Sequence, residues 1–110
     1  MSAGTATAGG DDAPSSARLD VWLWRARFFK TRSLATRFVD GGRVRITREG
    51  AVLRSRKPGF AVAVGDIVTF ARAGRIISSR ILQIPVRRGP ASEARGLYEA
   101  VDLGDTGGTV

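Results

Sequence analysis

The fold is decided by residues 18–46, which read RLDVWLWRARFFKTRSLATRFVDGGRVRI. Arginines alternate with aromatic residues in this stretch, and the apolar spacing predicts two helices followed by the start of a strand. Two interpretations of the arginines are open at this point. They form the solvated face of a buried helical pair, or they form a docking surface for a negatively charged partner.

A first helix is predicted from about Ala17 to Lys30, with Ser15 or Ser16 as its N-cap. Winding it at about 100° per residue gathers an apolar stripe on one face: Leu19, Trp22, Leu23, Ala26 and Phe29. The opposite side carries a second apolar patch: Val21, Trp24 and Phe28. On a small domain, such a second patch indicates that something else covers it.

A second helix is predicted to begin near Thr31–Ser33 and to end at the Gly41-Gly42 pair. Its buried stripe is expected to be Leu34, Ala35, Phe38 and Val39. Its amino terminus offers unpaired backbone N–H groups and the positive end of the helix dipole, which together suit a phosphate group.

After residue 42 the apolar period changes to two, which is typical of strands. RVRIT (43–47) predicts a half-buried strand, and AVAVGDIVTFA (61–71) predicts two more around a Gly-Asp turn. ARAGRIISSRILQI (71–84) predicts a hairpin at Ala73-Gly74 and a long last strand, which Pro85 ends. GPASEARGLYEAV (89–101) predicts a short closing helix over about 91–101.

The predicted order α-α-β-β-β-β-α indicates an α+β domain: two packed N-terminal helices, a small, mostly antiparallel sheet and a short C-terminal helix. This domain is expected to span residues 18–101. The polar, glycine-rich residues 1–17 are expected to be a disordered leader, and DLGDTGGTV (102–110) a disordered tail.

Positive charge is concentrated in one part of the chain. The 18 basic residues exceed the ten acidic ones by eight, and residues 18–57 hold twelve of these bases against three acids. A basic segment of this kind favours a polyanionic partner, and guanidinium groups pair with phosphate in a bidentate manner. A solvated face rich in arginine is the alternative.

Composition excludes several function classes. The chain has no cysteine and no histidine, so disulfides, thiolate metal sites and the commonest general base are absent. Its carboxylates are isolated and its glycines form no phosphate-binding loop, which predicts a protein that is not an enzyme and uses no cofactor or metal. No segment predicts a membrane span or a signal peptide, so we expect a cytoplasmic protein. Nothing in the sequence suggests more than a monomer, and we expect no small-molecule substrate.

The candidate binding residues gather around the helix pair. They are Arg18, Lys30, Thr31, Arg32, Ser33, Arg37, Arg43 and Arg45. Hydroxyl and guanidinium groups of this kind contact the nucleic-acid backbone and position a protein without reading sequence. Structured RNA recognised by its shape is the expected target, since no helix shows the residues of a major-groove reader. DNA binding stays open as an alternative.

The quoted stretch resembles the RNA-binding domain named after the fourth protein of the small ribosomal subunit, also called the αL motif. The resemblance rests on these positions: Arg18, Leu19, Asp20, Leu23, Arg27, Arg32, Ser33, Ala35, Gly42, Val44, Lys57, Pro58, Gly65 and Asp66. The narrower pattern WLWRARFFKTR, followed by RRGPASEARGLYE (87–99), is similar to the fifteen-kilodalton heat-shock protein family of ribosome-associated proteins.

That resemblance implies binding to ribosomal RNA of the large subunit, above all when the free subunit still holds a nascent chain on transfer RNA. It implies a role in recycling such stalled subunits, with chain extension in quality control as another branch, and it leaves contact with peptidyl-transfer RNA open. In the family the helix pair is the RNA surface, which carries this role onto Arg18, Lys30, Thr31, Arg32, Ser33, Arg37 and Arg43. An accessory module that works with a pseudouridine synthase is the alternative.

Two further expectations follow from the resemblance. In place of the family's Asn-Gly hairpin stands TREGAVLRSRK (47–57), a longer basic loop, and the basic tail is replaced by DLGDTGGTV. We therefore expect phosphate contacts from this region: Arg48, Arg54, Arg56 and Lys57. The closing helix is expected to pack Leu97 and Tyr98 over the second apolar patch, the alternative being that Trp24 or Phe28 stacks on a base.

Overall fold

The computed structural model describes residues 14–54 and 56–101. Most of the expected leader and all of the expected tail lie outside these residues. The fold is α+β, as predicted. Two N-terminal helices pack on an antiparallel sheet, and the helices in the described part of the chain are too short or too polar to cross a bilayer.

A short strand precedes the first helix, where we expected the helix itself. Strand β1 (Ser16–Arg18) runs antiparallel to β4 (Ala61–Ala63), and helix α1 follows at once as Leu19–Arg25. Neither Ser15 nor Ser16 caps α1, because Arg18 occupies the N-cap position in an extended conformation and Ser16 pairs with Ala63.

Helix α1 also ends five residues earlier than predicted, at Arg25. The Phe28 N–H bonds to the Leu23 carbonyl and the Arg27 N–H to the Trp24 carbonyl, which is the Schellman pattern of a helix end. That pattern needs a left-handed residue, and Arg27 supplies it with a φ of 68°. Glycine normally fills this position, so the sequence carried no signal for the stop.

Helix α2 spans Arg32–Asp40 and has the ends that the sequence predicted. The Thr31 hydroxyl accepts a 3.1 Å hydrogen bond from the Leu34 N–H, which makes Thr31 a regular N-cap. Gly41 closes the helix, and Gly42 follows with a φ of 76°, a conformation that glycine adopts without strain.

The main sheet has five strands, and every neighbouring pair is antiparallel. In chain order they are β2 (Val44–Arg48), β3 (Ala51–Arg54), β5 (Ile67–Arg72), β6 (Arg75–Ile81) and β7 (Tyr98–Ala100). Their spatial order is β3-β2-β5-β6-β7. The hairpin at Ala73-Gly74 is confirmed.

The expectation of a long loop after β2 was wrong. Glu49 and Gly50 have φ values of 51° and 83°, and these two residues join β2 to β3 directly. Positive φ at both central residues is the geometry of a type I′ turn, whose twist matches that of paired strands. The loop is therefore confined to the residues between β3 and β4.

The closing helix is also shorter than predicted. It consists of α3 (Ala91–Ala94) and one 3₁₀ turn (Arg95–Leu97), after which Tyr98 turns extended and starts β7. Strand β7 pairs with the end of β6, with Tyr98 opposite Ile81. Backbone pairing at the sheet edge thus outweighs the helical pattern of residues 98–101.

The core lies between α1, α2 and the sheet. All five residues of the predicted α1 stripe are at most 3% exposed, which confirms that stripe. In α2, Ala35 and Val39 are fully buried and Phe38 is half-buried, but Leu34 was predicted wrongly, since it is 41% exposed.

The second apolar patch of α1 is covered from within the chain. The ring of Tyr98 lies 4.7 Å from that of Phe28, centroid to centroid, as expected. Leu97 is buried in the core. Trp24 is half-buried instead beneath Arg88, whose guanidinium carbon lies 5.5 Å from the ring centroid. The loop after β6, rather than the closing helix, covers this side chain.

Candidate nucleic-acid interface

Helix α2 and the start of β2 carry a row of exposed basic side chains, which we call the basic surface: Lys30, Arg32, Arg37, Arg43 and Arg45. Lys30 immediately precedes the Thr31 cap, and Arg32 is the first residue of α2. Exposed Thr31 and Ser33 lie beside them at the helix start. Five of the predicted site residues are therefore placed together by one short helix and the two residues before it: Lys30, Thr31, Arg32, Ser33 and Arg37.

Three neighbouring grooves make this surface continuous. The first, of about 360 Å³, is lined by Arg32, Ser33, Thr36 and Arg37. Arg37 also lines a second groove, of about 480 Å³, together with Arg43. Arg43 and Arg45 then line a third, of about 210 Å³. Because each groove shares an arginine with the next, the basic residues form one track.

The cations of this track are not neutralised within the described part of the chain. Arg32, Arg37 and Arg45 take part in none of the ion pairs found there. Arg43 instead lies over the ring of Phe38, 5.4 Å from its centroid. Unpaired guanidinium groups at this density attract phosphate and pair with it in bidentate fashion.

Arg18 is half-exposed and is held by Asp20. Its Nε and one terminal nitrogen donate 3.0 Å hydrogen bonds to the two carboxylate oxygens of Asp20. Asp20 is fully buried and also accepts a 2.7 Å hydrogen bond from Thr36, a residue of the first groove. Arg18 is thereby tied, through Asp20 and Thr36, to the groove at the start of α2.

The same contacts set the charge state of Asp20. Burial alone raises the pKa of its carboxyl, but the hydrogen bonds from Arg18 and Thr36, the charge of Arg18 and the Val21 N–H outweigh it. The pKa of Asp20 therefore lies below its ordinary value of 3.8. The hydrogen bond and charge of Asp20 raise the pKa of Arg18 in turn.

Arg48 and Lys57, two further predicted site residues, lie away from the track. Arg48 forms a bidentate pair with buried Asp66, at 2.9 and 2.8 Å, and donates to the Ala61 carbonyl. The hydrogen bond and charge of Asp66 raise the pKa of Arg48. Lys57 is exposed, and its carbonyl accepts from the Phe60 N–H. Phosphate contacts by both residues stay predictions.

Two arginines from other parts of the chain lie beside the basic surface. Arg72 of β5 lines the second groove, and the sequence offered no motif that would have found it. Arg56 lies so close to Gly42 that a Cβ there would stand 3.0 Å from its Nε. The side chain of Arg54 lies outside the described residues.

A different set of arginines connects the helix pair to the loop after β6 by hydrogen bonds. Arg25 donates to the Pro85 carbonyl at 2.9 Å and Arg27 to the Gly89 carbonyl at 2.8 Å. In the opposite direction, Arg88 donates to the carbonyls of Trp24 and Phe29, at 3.0 and 3.3 Å. These guanidinium groups donate to backbone carbonyls of both segments and so connect residues 24–29 with residues 85–89.

Chemically, this site offers cations, hydroxyl groups and one helix terminus. Within residues 14–54 and 56–101, no group of three or more histidine, cysteine, aspartate or glutamate side chains is placed to hold a metal ion. The site's cations, hydroxyl groups and helix N-terminus are groups that bind anionic oxygens.

Comparison with known proteins identifies the family. Residues 17–46 match the S4 domain. A heat shock protein 15 homolog of Aeromonas salmonicida is 36% identical over 91 residues, or 83% of this chain and 65% of that protein. A solved structure of heat shock protein 15 from Vibrio cholerae, described as trimeric, is 37% identical with a TM-score of 0.71, covering 84% of this chain and 88% of that one. The chain belongs to the heat shock protein 15 family.

Heat shock protein 15 of Escherichia coli (strain K12) is 38% identical over 82 residues, or 74% of this chain. This chain spans 58% and 65% of the length of the curated relatives from E. coli and A. salmonicida. The S4 match contains the entire basic surface, whereas Arg48 and Lys57 lie beyond it. The family resemblance drawn from the sequence is confirmed. The expectation that this chain is a monomer stays a prediction, whereas the V. cholerae structure is described as trimeric.

Proposed function

We propose that this chain is a non-catalytic, cytoplasmic RNA-binding protein that docks on large-subunit ribosomal RNA through the basic surface. Its role is the rescue or recycling of stalled large subunits that carry a nascent chain. Contact with the peptidyl-transfer RNA on such subunits belongs to the same proposal.

The continuous track from Arg32 through Arg37 and Arg43 to Arg45 carries this proposal. Arg32, Arg37 and Arg45 form no ion pair within the described residues and lie on α2 and β2, and Arg43 lies in the short connection between them. Such a track contacts a folded phosphate backbone at several points and reads its shape. Arg18, Lys30, Thr31 and Ser33 flank the track at the helix start and extend the same contact.

Membership of the heat shock protein 15 family supports binding to RNA and association with the ribosome. The preference for a nascent-chain-bearing large subunit rests on the family resemblance. The alternatives are an accessory module that works with an RNA-modifying enzyme such as a pseudouridine synthase, and a general binder of nucleic acids including DNA.

Co-sedimentation tests the proposal. The full chain is mixed with small subunits, free large subunits, large subunits carrying peptidyl-transfer RNA, and duplex DNA as competitor, at two salt concentrations. The variant Arg32→Ala/Arg37→Ala removes two charges from the track. The matched variant Arg87→Ala/Arg95→Ala removes two charges from exposed positions that line none of the three grooves.

We expect the strongest binding to the large subunit with peptidyl-transfer RNA, a loss of binding in Arg32→Ala/Arg37→Ala, and little change in the matched variant. Each phosphate contact removed should also lower the salt dependence of binding by about one unit in the slope of log K against log salt. Equal binding to all particles and to DNA would contradict the proposal and leave a general polyanion binder.

A further inference from the structure

The second groove of the basic surface is lined by both apolar and basic side chains. It lies between α2 and the turn that joins β5 to β6, and its volume is about 480 Å³. Phe29, Leu34 and Phe38 supply its apolar part, and Arg37, Arg43 and Arg72 its charges. We call it the aromatic groove.

The apolar part of this groove is accessible. Leu34 belongs to the apolar spacing of α2 but is 41% exposed, and Phe38 is half-buried beside it. The glycine and alanines that complete the lining, Gly41, Ala71 and Ala73, are small and leave the space open. An open apolar space within a basic surface indicates a ligand that is flat and apolar on its faces and anionic at its edge.

Two of the three arginines are already fixed against aromatic rings. Arg72 lies over the ring of Phe29, 4.5 Å from its centroid, and donates a hydrogen bond to the Phe28 carbonyl. Arg43 lies over Phe38 at 5.4 Å. A guanidinium that is held in one plane loses little conformational entropy on binding, and such planes stack on nucleobases.

We propose that the aromatic groove holds one unpaired nucleotide of the bound RNA. The base lies against Leu34 and Phe38 and stacks on the guanidinium planes, and its phosphate is paired with Arg37. This inference rests on the proposed function and deepens it, because it states which kind of RNA feature the surface recognises.

Charge and continuity favour a nucleotide as the occupant. None of the residues that line the groove is acidic, and three are arginines. Arg37 and Arg43 also belong to the neighbouring grooves, so an RNA backbone that follows the track reaches the groove directly. The lining holds no asparagine, glutamine, serine or threonine side chain to read a base edge. Stacking without strong base preference is therefore expected.

The experiment measures binding of the full chain to two short RNA duplexes that differ by a single bulged nucleotide. The variant Leu34→Ser removes the exposed apolar side chain of the groove without changing the charge. Leu82→Ser is its matched control, because Leu82 is 40% exposed and lines none of the three grooves. Both side chains are solvent-accessible, so neither variant creates a cavity in the core.

We expect the unmodified chain to bind the bulged duplex about tenfold more tightly than the paired one, as stacking of one base provides. Leu34→Ser should lose most of that preference while binding the paired duplex as before, and Leu82→Ser should retain it. Equal binding of both duplexes, or a preference unaffected by Leu34→Ser, would overturn this inference and leave RNA binding intact. If the chain binds neither duplex and no ribosomal subunit, both the proposed function and this inference are overturned.

Discussion

Thr36 donates a 2.7 Å hydrogen bond to the buried carboxylate of Asp20, and this contact links α2 to α1. The same carboxylate receives the guanidinium of Arg18 and the N–H of Val21. One buried charge therefore positions the start of α1, the middle of α2 and a candidate RNA contact at once. A buried carboxylate stays ionised only with such partners, so each of them contributes to the stability of the helix pair.

The substitution Thr36→Val tests this link. It keeps the shape of the side chain but removes the hydroxyl, so the free energy of unfolding should fall by about 1–2 kcal/mol. Urea unfolding followed by circular dichroism measures the change. Ser33→Ala is the control, because Ser33 is an exposed residue of the same helix, and its removal should change stability by less than about 0.5 kcal/mol. Equal losses in both variants would contradict the role of the Thr36–Asp20 contact.

Stability should depend on pH through Asp20. The folded chain lowers the pKa of this carboxyl below 3.8, so its ionised form favours the folded state. Its contribution is complete above the ordinary carboxyl pKa and is lost as the pH falls through the lower pKa of the folded state. Unfolding midpoints measured down to about pH 2 should therefore converge for the unmodified chain and Asp20→Asn, and separate again above about pH 5. A constant difference across this range would contradict the prediction.

Substitutions of Arg48 and Arg45 should distinguish an effect on stability from an effect on RNA binding. Arg48 is paired with buried Asp66, so Arg48→Gln should lower the free energy of unfolding by about 1–2 kcal/mol. Arg45 lies exposed on the same strand without an ion pair in the described residues, so Arg45→Gln should change stability by less than about 0.5 kcal/mol and weaken RNA binding. Urea unfolding and RNA titration of both variants provide the test. The reverse pattern would assign the phosphate contact to Arg48 rather than Arg45.

Arg88 should control the environment of Trp24. Its guanidinium covers the indole ring and bonds to two carbonyls near the end of α1, so Arg88→Gln should shift tryptophan emission to longer wavelength. The free energy of unfolding should fall by about 2–3 kcal/mol because two charge-assisted hydrogen bonds are lost. Arg87→Gln is the matched control, since Arg87 is exposed and its one ion pair within the described residues is with exposed Glu93. Unchanged tryptophan emission in Arg88→Gln would contradict the contact between Arg88 and Trp24.

Periodicity predicted the elements that depend on local spacing. The α1 stripe from Leu19 to Phe29, the Thr31 start of α2 and the glycine stop after it follow from the 3.6-residue period and from cap chemistry. The Ala73-Gly74 hairpin carries a local turn signal as well. Each of these features is encoded within a few neighbouring residues.

Three features that were predicted wrongly depend on partners distant in sequence. Ser16 joins a strand because residues 61–63 supply its partner strand. Tyr98 leaves the helical pattern because it pairs with Ile81 at the edge of the main sheet. Arg27 takes a left-handed conformation while its side chain bonds to the Gly89 carbonyl, 62 residues away. No window of neighbouring residues contains these contacts.

By itself, the sequence determined the class of fold, the family and the segment that carries the charge, because these follow from composition, spacing and motif. Only the tertiary structure decided which arginines remain available to bind a phosphate. Arg18 and Arg48 are bound to buried carboxylates, Arg88 to backbone carbonyls, and Arg37 lies open along the track. The physical reason is that a guanidinium binds whichever hydrogen-bond acceptor the fold brings close to it. For Arg48 and Arg88 these acceptors, on Asp66 and Trp24, are distant in sequence.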